Sequence, residues 1–172
     1  MKKFTLACAL IVASVGLKAQ ITTGKDVAVV ATDAGKVRGY IHSGIYTYKG
    51  IPYAEAARFE APHKPKPWAG VRSSLAYGPV SPLIDETTQV QDESEFVFNH
   101  NWGYTNEDCM RINVWTPGIN DGKKRPVMFW IHGGGFTSGS SIELPSYDGE
   151  NLAKKGDVVV VSISHRLNIT GY

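Results

Sequence analysis

Apolar residues along the chain fall mostly into short groups bounded by turn formers, the pattern that strands make. Val27, Val29 and Val30 lead into Thr32-Asp33-Ala34-Gly35, and Val37 to Ile41 returns, so Asp26 to Ile41 is predicted to be an antiparallel hairpin. Ile45 to Ile51 is a further strand, stopped by Pro52. Ala61 to Trp68 holds Pro62, Pro65 and Pro67, which fix φ and remove amide donors, and is expected to lie extended. Gly78 to Thr105 has no sustained period and reads as a long irregular excursion. In Met110 to Trp115, Ile112 and Val114 alternate with Arg111 and Asn113, which predicts a strand with one wet face. Val127 to Ile131 is apolar on both faces and is expected to be a central strand; Asp157 to Ile163 repeats the pattern. Between them, Gly149 to Lys155 is a short helix with Gly156 as a left-handed cap. Strand, helix and strand in that order imply a parallel crossover and an α/β class.

The N-terminus follows a different rule. Lys2 and Lys3, an apolar run from Phe4 to Leu17, and Lys18-Ala19-Gln20 form a charged, apolar, small-residue series too short for a membrane span. Residues 1–19 are therefore expected to be a signal peptide of bacterial type, and the product to be exported to the periplasm or beyond, with no membrane span after cleavage. Taking Lys2, Lys3 and Lys18 from the 18 basic residues leaves 15 against 16 acids, so the overall +2 becomes −1. With no basic stripe left, nucleic acid is not an expected partner. Cys109 becomes the single cysteine, which excludes an internal disulfide and favours a small buried hydrophobe. The five histidines share no ligand spacing, so neither metal nor cofactor is expected. Asn168-Ile169-Thr170 matches a glycosylation sequon, taken as coincidental in a bacterial chain.

The chemistry lies in His132-Gly133-Gly134-Gly135-Phe136, directly after the apolar run at 127–131. Three glycines remove every Cβ, so the chain can turn sharply and aim successive N–H groups at one point. Converging backbone donors form an anion receptor, for a phosphate or for a developing alkoxide. A phosphate loop would continue into Gly-Lys-Ser/Thr or open a long helix, whereas Thr137-Ser138-Gly139-Ser140-Ser141 follows here. An oxyanion hole for acyl transfer fits better, and a tri-glycine loop of this kind is found in α/β-hydrolases.

Several segments carry a resemblance to the type-B carboxylesterase family, which includes cholinesterases and para-nitrobenzyl esterases. They are Gly50-Ile51-Pro52-Tyr53-Ala54 with Arg58-Phe59; Pro67-Trp68 with Tyr77-Gly78-Pro79; and Glu107-Asp108-Cys109-Met110-Arg111-Ile112-Asn113-Val114-Trp115-Thr116-Pro117. The glycine word and the strand from Val158 to Leu167, with Asn168 and Gly171, complete the set in family order. The resemblance implies the N-terminal portion of an α/β-hydrolase fold over residues 20–172: a mixed, mostly parallel central sheet preceded by an antiparallel hairpin. It implies that Gly134 and Gly135 donate the oxyanion amides, that His132, Gly133 and Phe136 shape the loop, and that Arg58 and Glu107 form a buried structural ion pair. Trp102, Tyr104 and Phe136 are candidates for lining the gorge or for core packing. The chain departs from the family in two places. Ser81 stands where many members have a cysteine bridged to the one in Glu-Asp-Cys, and Glu55-Ala56-Ala57 shortens a loop.

Acyl transfer also needs a nucleophile, a base and an orienting acid. No serine here lies in a Gly-x-Ser-x-Gly frame, and the resemblance places that elbow after Tyr172. The expectation is a fragment, inactive alone, of a serine esterase acting on small carboxylic esters. The alternative is a non-catalytic, neuroligin-like binding protein on the same fold.

Overall fold

The computed structural model describes residues 20–82 and 103–171. The proposed signal peptide, Trp102 and most of the 78–105 excursion lie outside them. The hairpin forms as its turn chemistry requires: Thr32 N–H donates to the Gly35 carbonyl at 2.8 Å, between β1 (Val29–Ala31) and β2 (Lys36–Arg38). The return strand then divides at Gly39. A Cβ there would collide with the Thr47 carbonyl, so only glycine lets the chain cross from one sheet to another. Beyond it, β3 (Tyr40–His42) turns back into β4 (Ile45–Pro52). Strand β5 (Val71–Ser73) joins β2 in parallel to complete a three-stranded sheet of order β1-β2-β5. The proline-rich segment before it is irregular apart from a bridge between Glu55 and His63.

The larger sheet has the order β3-β4-β6-β8-β7, with β6 at Arg111–Thr116, β7 at Val127–Ile131 and β8 at Val159–Ser164. Three of its four pairings are antiparallel; β7 and β8 alone run parallel, linked through α1 (Glu150–Gly156). The sheet is thus mixed, but the expected parallel majority is not met among the described residues. Neighbours joined by a tight turn, as β3 and β4 are, can pair only antiparallel.

Away from β7, each face of this sheet carries a packed cluster. On one, Tyr48 and Ile51 join Ala28 and Val37 of the small sheet, with Ile112 and Val114 packed alongside. On the other, Trp115, Ile45 and Val160 pack with Ala153 of α1. Strand alternation explains the division, since Ile112 and Val114 point one way and Trp115 the other.

Among the described residues Val127–Ile131 pairs with β8 and is 46–65% exposed. Two expectations need correction. Asn113 is buried, because the loop carrying Ser141 lies over the face expected to be wet. The left-handed residue ending α1 is Asp157 (φ 47°), not Gly156, because the helix runs one residue further. Asp157 tolerates that conformation and holds Arg125 Nε at 2.7 Å.

Candidate active site

Strand β7 delivers the chain into the glycine run. His132 is 7% exposed, whereas Gly133, Gly134, Gly135 and Phe136 are all exposed. Gly134 (φ 115°), Gly135 (φ 60°) and Phe136 (φ 65°) occupy left-handed backbone in succession, a path that side chains resist. At Gly134 a Cβ would also strike the Ser138 carbonyl oxygen.

The carbonyl oxygens in this loop are tied down. Gly133 O lies 2.7 Å from His132 Nδ1. Gly134 O accepts Thr137 N–H at 3.1 Å, Ser138 N–H at 3.2 Å and the Thr137 hydroxyl at 3.0 Å. The amides of Gly134 and Gly135 have no acceptor among the described residues. In a planar trans peptide the carbonyl of one residue and the N–H of the next point opposite ways. Each of two consecutive peptides is therefore held by its oxygen and leaves its N–H free on the opposite side, the kind of donor that suits an oxygen gaining charge.

Residues 165–168, immediately after β8, fasten the surroundings. The His165 ring stacks on His132, with centroids 4.7 Å apart and planes 19° apart. Burial, with a smaller push from His132, holds the His165 imidazole below its ordinary range. Arg166 donates to the Ala57 carbonyl at 3.3 Å and to Glu60 O at 2.9 Å. Leu167 N–H donates to Ser81 Oγ at 3.0 Å, and Asn168 N–H to Phe136 O at 2.7 Å. Cys109 beside Ser81 is fully buried, and that burial pushes its thiol upward. A serine beside a free thiol thus occupies the place where the resemblance implies a disulfide in other members.

Arg58 and Glu107 do meet, Nε donating to Oε2 at 3.0 Å with a second contact between Arg58 Nη2 and Glu107 Oε1. Among the described residues their side chains are 62% and 37% exposed. The bond to Arg58 holds the Glu107 carboxyl below the usual carboxylate range. Tyr104 and Phe136 are both exposed among the described residues.

One part of the site escaped sequence reading. Asn113 Nδ2 donates to Ser141 Oγ at 3.0 Å and Ser162 Oγ at 3.1 Å, while its Oδ1 accepts Gly50 N–H at 2.9 Å. Ser141 Oγ in turn meets Ser164 Oγ at 2.7 Å. This buried network pins the chain beyond the glycines to β6 and β8. Its signal was the break in the valine run, where Ser162 and Ser164 replace apolar residues at alternate positions.

No group of three or more metal-binding side chains exists among the described residues. A groove of about 960 Å³ lies between the two sheets, but none of its lining residues belongs to the glycine loop. No helix among the described residues is long and apolar enough to cross a membrane.

The Carboxylesterase family profile matches residues 26–172. The chain belongs to the carboxylesterase family. It is 39% identical over 145 residues to phenmedipham hydrolase of Pseudarthrobacter oxydans, covering 82% of this chain and 28% of that protein. Para-nitrobenzyl esterase of Bacillus subtilis is 37% identical over 153 residues, covering 84% and 28% respectively. Among solved structures, an esterase from Clostridium hathewayi, described as able to hydrolyse aliphatic aromatic polyesters, superposes with a TM-score of 0.82. It shares 45% identity, over 90% of this chain and 30% of its own. The architecture is that of α/β-hydrolase esterases. The chain spans under a third of the length of these carboxylesterase relatives. They are hydrolases by name and lend no support to a non-catalytic binding role.

Proposed function

We propose that the full-length protein bearing this chain is an exported serine carboxylesterase, with residues 1–19 its signal peptide and 20–172 the part of its domain that holds the oxyanion. A serine outside these 172 residues attacks the carbonyl carbon of a small carboxylic ester, and a base takes its proton. The Gly134 and Gly135 N–H groups stabilise the tetrahedral oxyanion. The alcohol leaves with a proton, and water then releases the acid from the acyl-enzyme. Gly133, His132 and Phe136 shape the turn, and Arg58 with Glu107 fastens the loop at 55–60. No cofactor takes part in this reading.

The observation that carries it is the pair of consecutive peptides with tethered carbonyls and open amides, in a chain of this family. The test is hydrolysis of para-nitrophenyl acetate by the full-length protein and its Gly134→Pro variant. Proline removes the donor and cannot adopt φ 115°. Loss of one oxyanion donor is expected to lower kcat by about 10²–10³-fold. Turnover equal to that of the unaltered protein would remove these amides from the mechanism.

A further inference from the structure

His42 and Glu150 meet from 108 positions apart, with His42 Nδ1 lying 2.6 Å from Glu150 Oε2. The imidazole stands on β3, where His42 pairs with Ile45 of β4. Glu150 opens α1 and is set there by its own N–H, which donates to Asp148 Oδ1 at 2.9 Å. The two side chains are 30% and 20% exposed, so the contact is partly withdrawn from solvent. Three strands separate β3 from β7, and the pocket around the pair takes none of its lining from residues 132–136. The oxyanion reading makes no use of this pair.

An ionised carboxylate only accepts hydrogen bonds, so the proton of the neutral imidazole sits on Nδ1. Nε2 keeps its lone pair and has no hydrogen-bond partner among the described residues. A carboxylate behind one ring nitrogen fixes the tautomer and the orientation, and it stabilises the positive ring that forms when the other nitrogen gives up its electrons. The ring lines a pocket of about 550 Å³, in the size range of small-molecule sites. Ile21, Pro145 and Leu152 give that pocket apolar surface, and Tyr40 and Ser146 also line it.

We propose that His42, backed by Glu150, is a second acyl-accepting centre, reactive toward small activated carboxylic esters that enter this pocket. Nε2 forms a bond to the carbonyl carbon, the bond from that carbon to the leaving oxygen breaks, and the phenolate departs with the electron pair. The Nδ1 proton passes to Glu150, leaving a neutral N-acylimidazole. Water then adds to the acyl carbon and loses one proton to solvent. Glu150 returns its proton to Nδ1, Nε2 leaves with its electron pair, and the carboxylic acid is released.

The test uses the full-length protein, treated with a fluorophosphonate to cap the serine of the esterase site. On mixing with para-nitrophenyl cinnamate it should show the ultraviolet band of an N-acylimidazole, rising with phenolate release and decaying with hydrolysis. His42→Phe should abolish the band and lower the residual phenolate release about 10-fold or more. Glu150→Gln keeps an acceptor for Nδ1–H but cannot take its proton. Imidazole nitrogen NMR should therefore show the same tautomer, while the residual kcat falls about 10-fold with KM changed less than about twofold. The band in the unaltered protein does not depend on any variant folding. Its absence there, a residual rate unchanged in His42→Phe, or an acyl group recovered on Ser146 would overturn the proposal. Failure of the oxyanion reading is distinct, since it shows in the uncapped protein as unchanged turnover by Gly134→Pro.

Discussion

One face of the larger sheet is divided into two unlike halves. At one end Trp115 and Val160, paired across β6 and β8, lie beneath Ala153 of α1. At the other, Asn113 opposite Ser162, and Ser164 beside them, lie beneath Ser141. The same two strands thus hold a helix by apolar burial and a loop by directed hydrogen bonds. Burial is nondirectional and tolerates small displacements of what it covers. Hydrogen bonds fail when donor and acceptor are misaligned, so the loop carrying the glycines is held in one register. On the proposed reading, amides that must meet a reacting oxygen gain from the second kind of attachment.

Substitution in each half should reveal the difference. Trp115→Ala should produce the larger loss of stability, about 3–5 kcal/mol, because it empties the centre of the apolar half. Urea unfolding of the full-length protein measures it, and the loss should be global. A small loss, or one confined to α1, would mean that the helix is not anchored through Trp115. Asn113→Leu keeps the volume but strands Gly50 N–H and the Ser162 hydroxyl, at about 1–3 kcal/mol. Its mark should be selective: amide hydrogen exchange quickens around 138–142 more than in α1. Uniform quickening would erase the contrast between the halves.

The Arg58–Glu107 pair is the exposed counterpart of the Asn113 network, and the smallest effect is expected there. Glu107→Gln should shift the thermal midpoint at neutral pH by an amount close to replicate scatter, because exposed pairs are screened by solvent. The sign of its pH dependence follows from the lowered carboxyl of Glu107. Its contribution is present above the ordinary glutamate range and fades as pH falls through the folded-state value. The difference between the two proteins should therefore vanish in acid and in high salt. A large loss at neutral pH in high salt would show that the pair is shielded after all.

Much of the fold was legible where local chemistry decides it. The Thr32–Gly35 turn, β6, β8 and the short helix follow from turn formers and apolar spacing, and the glycine run stands at the end of a strand as its sequence context suggested. The burial of Asn113 was not legible, because alternation separates two faces but does not say what lands on them.

The sequence by itself determined the family, the glycine run and the absence of a Gly-x-Ser-x-Gly nucleophile frame within these residues, since each is a matter of residue identity and spacing. Tertiary structure alone decided that Gly133 and Gly134 carbonyls are tied back, that His165 braces His132 from 33 positions away in the chain, and that a buried Asn–Ser network pins the loop. Those contacts join residues far apart in sequence or set the rotation of single peptide planes. Their geometry exists only once β7 and β8 lie side by side and fix where both loops emerge.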